Sequence, residues 1–487
     1  MEKIVKNVEE NINKIKLLYG DSSDINTRII KFKNGNVGVI FLESSSSSET
    51  VSDFIIKSID MINPNGIFQS IYNTLENKIF NSQMTTTNDF SKFSYYLSAG
   101  FTIVITSDSD EAIILETRAT LDRGVSESSS EPVLRGPKDS FTESHSKNLG
   151  LIRKRIKDSN LWFDELRIGK RTKARVTIGY INDIVNKKQI KYIKKKLSKI
   201  NIDGILDSGN LREYLINNKS AFPQVQSTER PDLTSHALLN GKIVILVENS
   251  PIVLLLPAVF VDFIHTPEDF YQKPLNISFT RILKFISLII TLFTPAIYIA
   301  ITTFDQIIVP NELLISIAVQ REAVPFPTSI EIIVLMTIFE ILRESDIRMP
   351  SNMGTSMSIV GALVLGQAAV DAGIVSPIAV IVVAFTSICS LIFTDIDFMN
   401  GIRFWRFLFI LSASFLGLIG LVIMSLIFII KLSSLENFGV SYLSPFSPFD
   451  LSAQKDALVR FSFPKLFKRP SYLNIKNITK QGDSNEK

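Results

Sequence analysis

One cysteine, three histidines and two tryptophans in 487 residues leave little material for several kinds of chemistry. The lone Cys389 lies inside an apolar run, which excludes an intramolecular disulfide and reads as a small buried residue. His145, His236 and His265 stand far apart with no cysteine beside them, so neither a metal-ligand constellation nor a cofactor is expected. The chain lacks GxxxxGK[ST], GxSxG, HExxH and CxxC, the spacings that cradle phosphate, present a nucleophile or hold zinc. An enzyme is therefore not expected. A formal net charge of +4 is slight for this length and gives no reason to expect a nucleic-acid partner. The opening run MEKIVKNVEENINKIK has no continuous apolar core of the secretory type, which predicts a head that stays in the cytoplasm.

What is abundant is apolar surface, 46% of residues, and it is unevenly distributed. Charge is dense up to about Lys242 and sparse from about Pro251 to Ile430. This predicts a two-part soluble N-terminal region of mixed α/β character followed by an all-α, multi-pass membrane domain. The boundaries are set at residues 1–130, 131–265 and 266–431, with a basic tail over 432–487.

In the first part, residues 27–32 and 37–41 alternate around Lys33-Asn34-Gly35-Asn36 and predict a hairpin. Apolar runs at 101–106 and 112–115 predict two more strands. In the second part, strands are expected at 175–181, 203–206 and 242–247, and helices at 188–200 and 211–216. The first of these helices carries Lys187, Lys188, Lys191, Lys194, Lys195 and Lys196 on or beside it. A solvated helix face, anionic lipid and an acidic partner all fit that pattern.

A spanning helix needs roughly 20 apolar residues. Residues 285–304, 357–375 and 407–430 meet that length or nearly so, 378–393 is a little short, and 330–342 needs its polar ends to cross or else re-enters. Residues 251–264 and 313–319 are too short to span, and either piece fits the interface or the end of the soluble sheet. Arg281, Lys284, Arg343, Arg348, Arg403 and Arg406 fall on the side of the head under the positive-inside rule. The tail's side stays open, with a lean towards the head.

Charges inside the apolar half require a partner or water. Glu331 follows Thr328 at capping-box spacing. Glu340, Arg343, Glu344 and Arg348 form a charged group in which Glu340 and Glu344 share a face and Glu344 to Arg348 is an i to i+4 pair. Ion-pair satisfaction at a helix end and lining of a wet path both fit. Gly354, Ser358, Ala362 and Gly366 recur every four residues, a stripe that permits close helix packing. Val360, Val364, Gln367 and Asp371 lie on a different face and fit an ion path with an apolar constriction and a wet end. The alternative is that Gln367 bonds to a neighbouring helix while Asp371 reaches the headgroups.

The runs VLRGPKDSFTESHSKNLGLIRKRI, LRIGKRTKARVTIGYI, FPQVQSTERPD, VPFPTSIE, FEILRESDIRMP and GALVLGQAAVDAGIVSP follow in order within a stretch from about Val133 to Arg406, over half the chain. Together they resemble the A-subunit family of GerA-type spore germinant receptors, which includes a stage V sporulation paralogue. Arg135, Gly136, Arg153, Arg155, Gly169, Lys170 and Arg171 match its soluble signature, and Glu340, Arg343, Glu344, Arg348, Gly361, Gly366, Gln367 and Pro377 its membrane signature. His145 and Ser146 before Asn148, Ser345 and Asp346, and the segment 395–400 depart from the pattern. The resemblance implies the spore inner membrane, a transporter-like B subunit, a lipoprotein C subunit, and homo-oligomers forming a ligand-gated cation channel. A non-conducting membrane scaffold and a stand-alone secondary transporter are the alternatives.

Overall fold

The computed structural model describes residues 4–33, 35–61, 70–79, 83–119, 131–133, 135–216, 220–348 and 366–480. Its first unit begins with helix α1 (Val8–Leu18), capped by the Asn7 side chain, which accepts from the amides of Glu9 and Glu10. Strands β1 (Ile25–Phe32) and β2 (Gly35–Leu42) pair antiparallel, with Phe32 opposite Gly35. Helix α2 (Ile71–Lys78), strand β3 (Met84–Thr87), helix α3 (Phe93–Ser98), and strands β4 (Phe101–Thr106) and β5 (Ala112–Glu116) complete it. The antiparallel sheet runs in the order β1-β2-β4-β5-β3.

The second unit repeats this plan. Helix α4 (His145–Arg155) precedes β6 (Leu161–Ile168) and β7 (Ala174–Ile181). Helices α5 (Lys187–Leu197) and α6 (Ser208–Leu215) lead to β8 (Gln226–Thr228), and α7 (Pro231–Leu239) leads to β9 (Ile243–Val247) and β10 (Val253–Leu256). The sheet order is β6-β7-β9-β10-β8, the same connectivity as the first. Alternate residues of each strand face opposite ways, so each sheet needs two covers. Ile40, Ile103 and Ile105 pack under α1 and α3, while Val39, Val104 and Ile113 pack under residues 51–59 and α2. In the second sheet, Phe163 and Leu246 pack under α4 and α7, and Ile178, Ile245 and Leu254 under α5 and α6. The segment 203–206, expected as a strand, is an irregular turn leading to the Asp207 cap of α6.

A buried ion pair joins the two units. Arg153 on α4 is fully buried and binds Asp24 bidentately, both N–H···O distances being 3.0 Å. Ser44 donates to the same carboxylate at 2.6 Å and Ser22 at 2.8 Å. Burial works to raise the Asp24 carboxyl, but Arg153 and these hydroxyls outweigh it and hold it below its ordinary value. Beside the pair, Gly20 has φ +61° and lies flat against Trp162, whose ring a Cβ would enter at 2.2 Å. Only glycine fits both demands.

The apolar half is helical: α8 (Pro274–Thr303), α9 (Asn311–Arg321), α10 (Thr328–Arg348), α11 (Pro377–Ser390) and α12 (Ile396–Ser434). Among the described residues, α8 and α12 are long and apolar enough to cross a membrane. The run expected as one span over 407–430 is in fact the bend of a hairpin. Gly417 takes φ 57° and ψ −139°, a conformation closed to L side chains, and α12 doubles back there. Ser412 Oγ donates to the Gly420 carbonyl at 2.7 Å, and the rings of Trp405 and Phe428 lie 5.0 Å apart. In a straight helix those two residues would be about 34 Å apart. Asp305, just past α8, accepts from the Leu418 amide at 3.0 Å and caps the returning arm. Helix α10 is continuous for 21 residues, longer than the expected 330–342. Of the expected run 357–375, residues 366–371 are helical, and Gly373 (φ +66°) turns the chain into α11.

The tail is not a loose extension. Residues 436–441 form a small hairpin of β11 (Glu436–Asn437) and β12 (Val440–Ser441). Val440, Leu473 and Ile475 then join the core of the second sheet, and Lys476 donates its amide to the Ile184 carbonyl at 3.0 Å. As far as Lys480, the tail therefore lies on the same side of the helices as the α/β units.

Candidate functional site

Where β10 ends, the chain leaves the sheet and enters the helices. Ala258, Phe260, Phe263 and Ile264 are buried in the same core as α8, α11 and both arms of α12, so head and helices share one apolar interior. Phe222, from the loop before β8, is its centre: its ring lies 5.8 Å from Phe398, 5.9 Å from Phe428 and 6.4 Å from Tyr442. Phe263 stacks on Phe398 at 5.6 Å and within 6° of parallel. Aromatic rings at such separations resist sliding, because offset and edge contacts are directional.

Buried charges surround this hub. Arg281, the first basic residue of α8, is fully buried; its Nε donates to Asp269 at 2.7 Å and its Nη1 to the Asp456 carbonyl of the tail at 2.6 Å. Lys284 donates to Thr266 Oγ1 at 2.9 Å. Arg460 of the tail reaches the carbonyls of Asp269, Gln272 and Phe270. His265 Nε2 donates to the Ala457 carbonyl at 2.9 Å. Arg212 on α6 pairs with Asp397 at the start of α12. Head, first long helix, hairpin and tail are thus pinned at one place. A cavity of about 360 Å³ opens beside it, its wall including Glu131, Arg212, Thr228, Asp395 and Asp397. Burial pushes the Glu131 carboxyl up to about 7, against the opposing Thr228 hydroxyl and Glu229 amide.

A second charged group lies within the helices. Glu340 on α10 faces Arg406, which is almost fully buried, and Arg403, whose Nε lies 3.0 Å from Glu340 Oε2 without directing its N–H at it. Arg343 is half-buried one turn on, and Glu344 is exposed. Glu340 and Glu344 therefore sit in different surroundings although one turn separates them. Arg348 ends α10, and the expected Glu344 to Arg348 pair lies outside the described side chains. Arg281, Lys284, Arg403 and Arg406, read from sequence as loop charges marking a side, are largely committed to buried contacts. Two arginines three apart in an apolar helix were the available signal, since each needs an acid within reach.

Glu331 does not act as its own helix's cap. Its buried carboxylate accepts from the amide and hydroxyl of Ser376, the residue that caps α11, with the hydroxyl contact at 2.7 Å. Its other oxygen lies 4.0 Å from Arg321. The capping-box spacing was present, but a neighbouring helix start offered two donors.

Gly354, Ser358 and Ala362 of the packing stripe, and Val360 and Val364 of the path stripe, lie outside the described residues. Gly366 faces α11, where a Cβ would stand 3.7 Å from Val380, ordinary contact. Among the described residues Gln367 and Asp371 are both exposed, and Gln367 donates to Asp371 at 2.9 Å within the same helical segment. Of the soluble signature, Arg153 makes the inter-unit lock, and Arg155 binds Asp139 at 2.6 Å or less. Gly136 (φ +125°) lies against Tyr271, where a Cβ would be 2.7 Å from the ring.

The family model described as Bacillus/Clostridium GerA spore germination protein matches residues 13–472. Spore germination protein KA of Bacillus subtilis (strain 168) is 36% identical over 484 residues, 98% of this chain and 89% of that one. The uncharacterized membrane protein YfkQ of the same organism is 34% identical over 469 residues, covering 96% and 91%. The crystal structure of the N-terminal domain of the A subunit of the Bacillus megaterium spore germinant receptor GerK3 aligns at 28% identity and a TM-score of 0.42, over 53% of this chain and 98% of that one. Head, junction and helices all fall within the matched residues, and the chain belongs to the GerA family of spore germination proteins.

Proposed function

We propose that this chain is the A subunit of a spore germinant receptor, set in the spore inner membrane with its α/β head on the cytoplasmic side. It performs no chemistry. It assembles with copies of itself around a cation path, which opens when the transporter-like B subunit and the lipoprotein C subunit relay the germinant signal. The observation that carries the proposal is the shared interior at Phe222, Phe260, Phe398 and Phe428. A displacement of the head cannot occur without moving α8 and the α12 hairpin, the coupling a gated path requires. Membrane insertion is supported by the apolar residues that α12 leaves exposed, among them Phe415, Ile419, Val422 and Ile430. The hairpin arms, residues 396–416 and 418–434, are about 31 and 25 Å long, close to the hydrocarbon thickness. The exposed Gln367 and Asp371 fit the wet end of the path.

The test uses the single native thiol. In a Cys389→Ser background, one cysteine is placed at Val360, Val364, Gln367 or Asp371, with Ala362 as the opposite-face control. Crosslinking between copies and labelling by a membrane-impermeant thiol reagent are scored with and without germinant. Crosslinking and labelling at the four positions but not at Ala362 support the path. Silence at all four, in folded protein from germinating spores, leaves these residues as packing and favours a non-conducting scaffold.

A further inference from the structure

We propose that the outward face of α5 is a docking surface for anionic lipid headgroups. Between Lys187 and Lys199 the chain has seven lysines and no acidic residue. The helix buries Gln189, Ile190, Ile193 and Leu197 against the second sheet. Two lysines are engaged: Lys194 with Asp164 at 2.7 Å, and Lys196 with the Leu215 carbonyl at 2.9 Å. Lys187, Lys188, Lys191, Lys195 and Lys199 are exposed, with no ion pair among the described residues. Tyr192 stands among them, 49% exposed.

Position chooses the partner. Tyr192 packs edge-on against Phe438 at 5.8 Å, and Lys196 lies over the same ring at 5.5 Å. Phe438 follows the end of α12 at Ser434 by one short turn of chain. The apolar belt of α12 ends at Ile429 and Ile430, 55% and 66% exposed, with Lys431 exposed directly after them. If α12 is inserted, as proposed above and on which this inference rests, Lys431 marks the headgroup level and α5 lies beside the point of exit. Lysine stems reach along apolar surface with their ammonium groups among phosphates, and tyrosine favours the same interface. Each lysine near an anionic surface adds attraction that decays within a Debye length. An acidic protein would match the charge too, but it would have to be recruited, whereas headgroups stand beside the helix exit wherever α12 is inserted.

The experiment reconstitutes the full chain in nanodiscs of phosphatidylcholine alone and of phosphatidylcholine with phosphatidylglycerol. A soluble amine-acylating reagent is applied, and modification rates are read by mass spectrometry. Rates at Lys188, Lys191 and Lys195 are expected to fall about threefold or more with the anionic lipid and to recover in high salt. Lys147 on α4, which covers the opposite face of the sheet, is expected to react equally in both discs. A triple variant, Lys188→Gln, Lys191→Gln and Lys195→Gln, changes only exposed side chains and is expected to abolish lipid-dependent protection of Lys187 and Lys199. Equal rates at the three lysines in both discs would overturn the docking surface alone. Protection that persists in the triple variant or extends equally to Lys147 would do the same. Failure of the chain to enter either disc would overturn membrane insertion, and this inference with it.

Discussion

Replacing Arg153 with methionine keeps an unbranched apolar stem but removes the guanidinium, and leaves the Asp24 carboxylate buried with no counter-charge. The arginine is fully buried, and its guanidinium makes two 3.0 Å contacts to Asp24 and a third, at 3.3 Å, to Ser22. Breaking a buried pair from one side costs about 3 to 5 kcal/mol, because the remaining ion has lost its solvent and its partner together. Ser44 and Ser22 still donate to Asp24, which places the expectation near the lower end. Trp162 is the reporter, since it lies against Gly20 at the contact between the two α/β units. In a Trp405→Phe background it is the remaining tryptophan. Urea titration of the full chain in detergent, followed by Trp162 fluorescence, should show the transition displaced by about 3 kcal/mol in Arg153→Met. Adding Asp24→Asn should recover about 2 kcal/mol of that loss, since the stranded charge is gone. The pH dependence follows from the depressed carboxyl. Its contribution is complete above the unfolded value of about 4 and is lost as pH falls through the lower folded value. The difference between wild type and Arg153→Met should therefore shrink in strong acid. Additivity of the two single substitutions to within about 0.5 kcal/mol would refute the reasoning.

Three further outcomes are expected. Gly417→Ala should cost about 3 kcal/mol or more, seen as a lower thermal midpoint in detergent, because φ 57° is strained for alanine and its Cβ would meet Phe304 Cβ at 2.8 Å; Asp305→Ala, which removes only the cap on Leu418, should cost about 1 kcal/mol. Glu340→Gln should lower that midpoint clearly, since it deprives Arg406 and Arg403 of their acid, whereas Glu344→Gln at an exposed position should change it little. His145 is buried, bonded to Thr177 at 2.8 Å, and pushed down to about 4 by burial and then by Arg175. Its folded value lies below the unfolded value of about 6.5, so the unfolded chain takes up the proton first. Stability on the order of 3 kcal/mol should be lost between pH 6.5 and 4, and His145→Gln should flatten the slope of the Trp162 transition over that range.

Several elements were legible because their signal is local. The alternation of residues 27–41 around a turn gave the first hairpin, and the runs at 101–106 and 112–115 gave two strands with their connection. The stretch 251–264 splits as its composition allows: Val253–Leu256 finishes the sheet and Phe260 turns to the helices. Strand β6 was not expected, since Asp164, Glu165 and Arg167 interrupt its apolar pattern; strands β3 and β8 were missed, being four and three residues long with polar composition. They exist because β5 and β10 offer them edges to pair with.

Apolar content alone divides this chain into an α/β part and a helical part, because the number of uncharged residues in a row limits what water can surround. The order of motifs along Val133–Pro377 is a sequence property too, and it suffices to indicate the family. Partnerships across long separations are decided only in three dimensions. Arg153 finds Asp24 from 129 residues away, Arg406 finds Glu340 from 66, and the Leu418 amide finds Asp305 from 113. The repeated connectivity of the two sheets, the fold-back at Gly417 and the docking of the tail on the second sheet share one cause. Each depends on which surfaces remain unburied once local elements have formed, and no window along the chain contains that information.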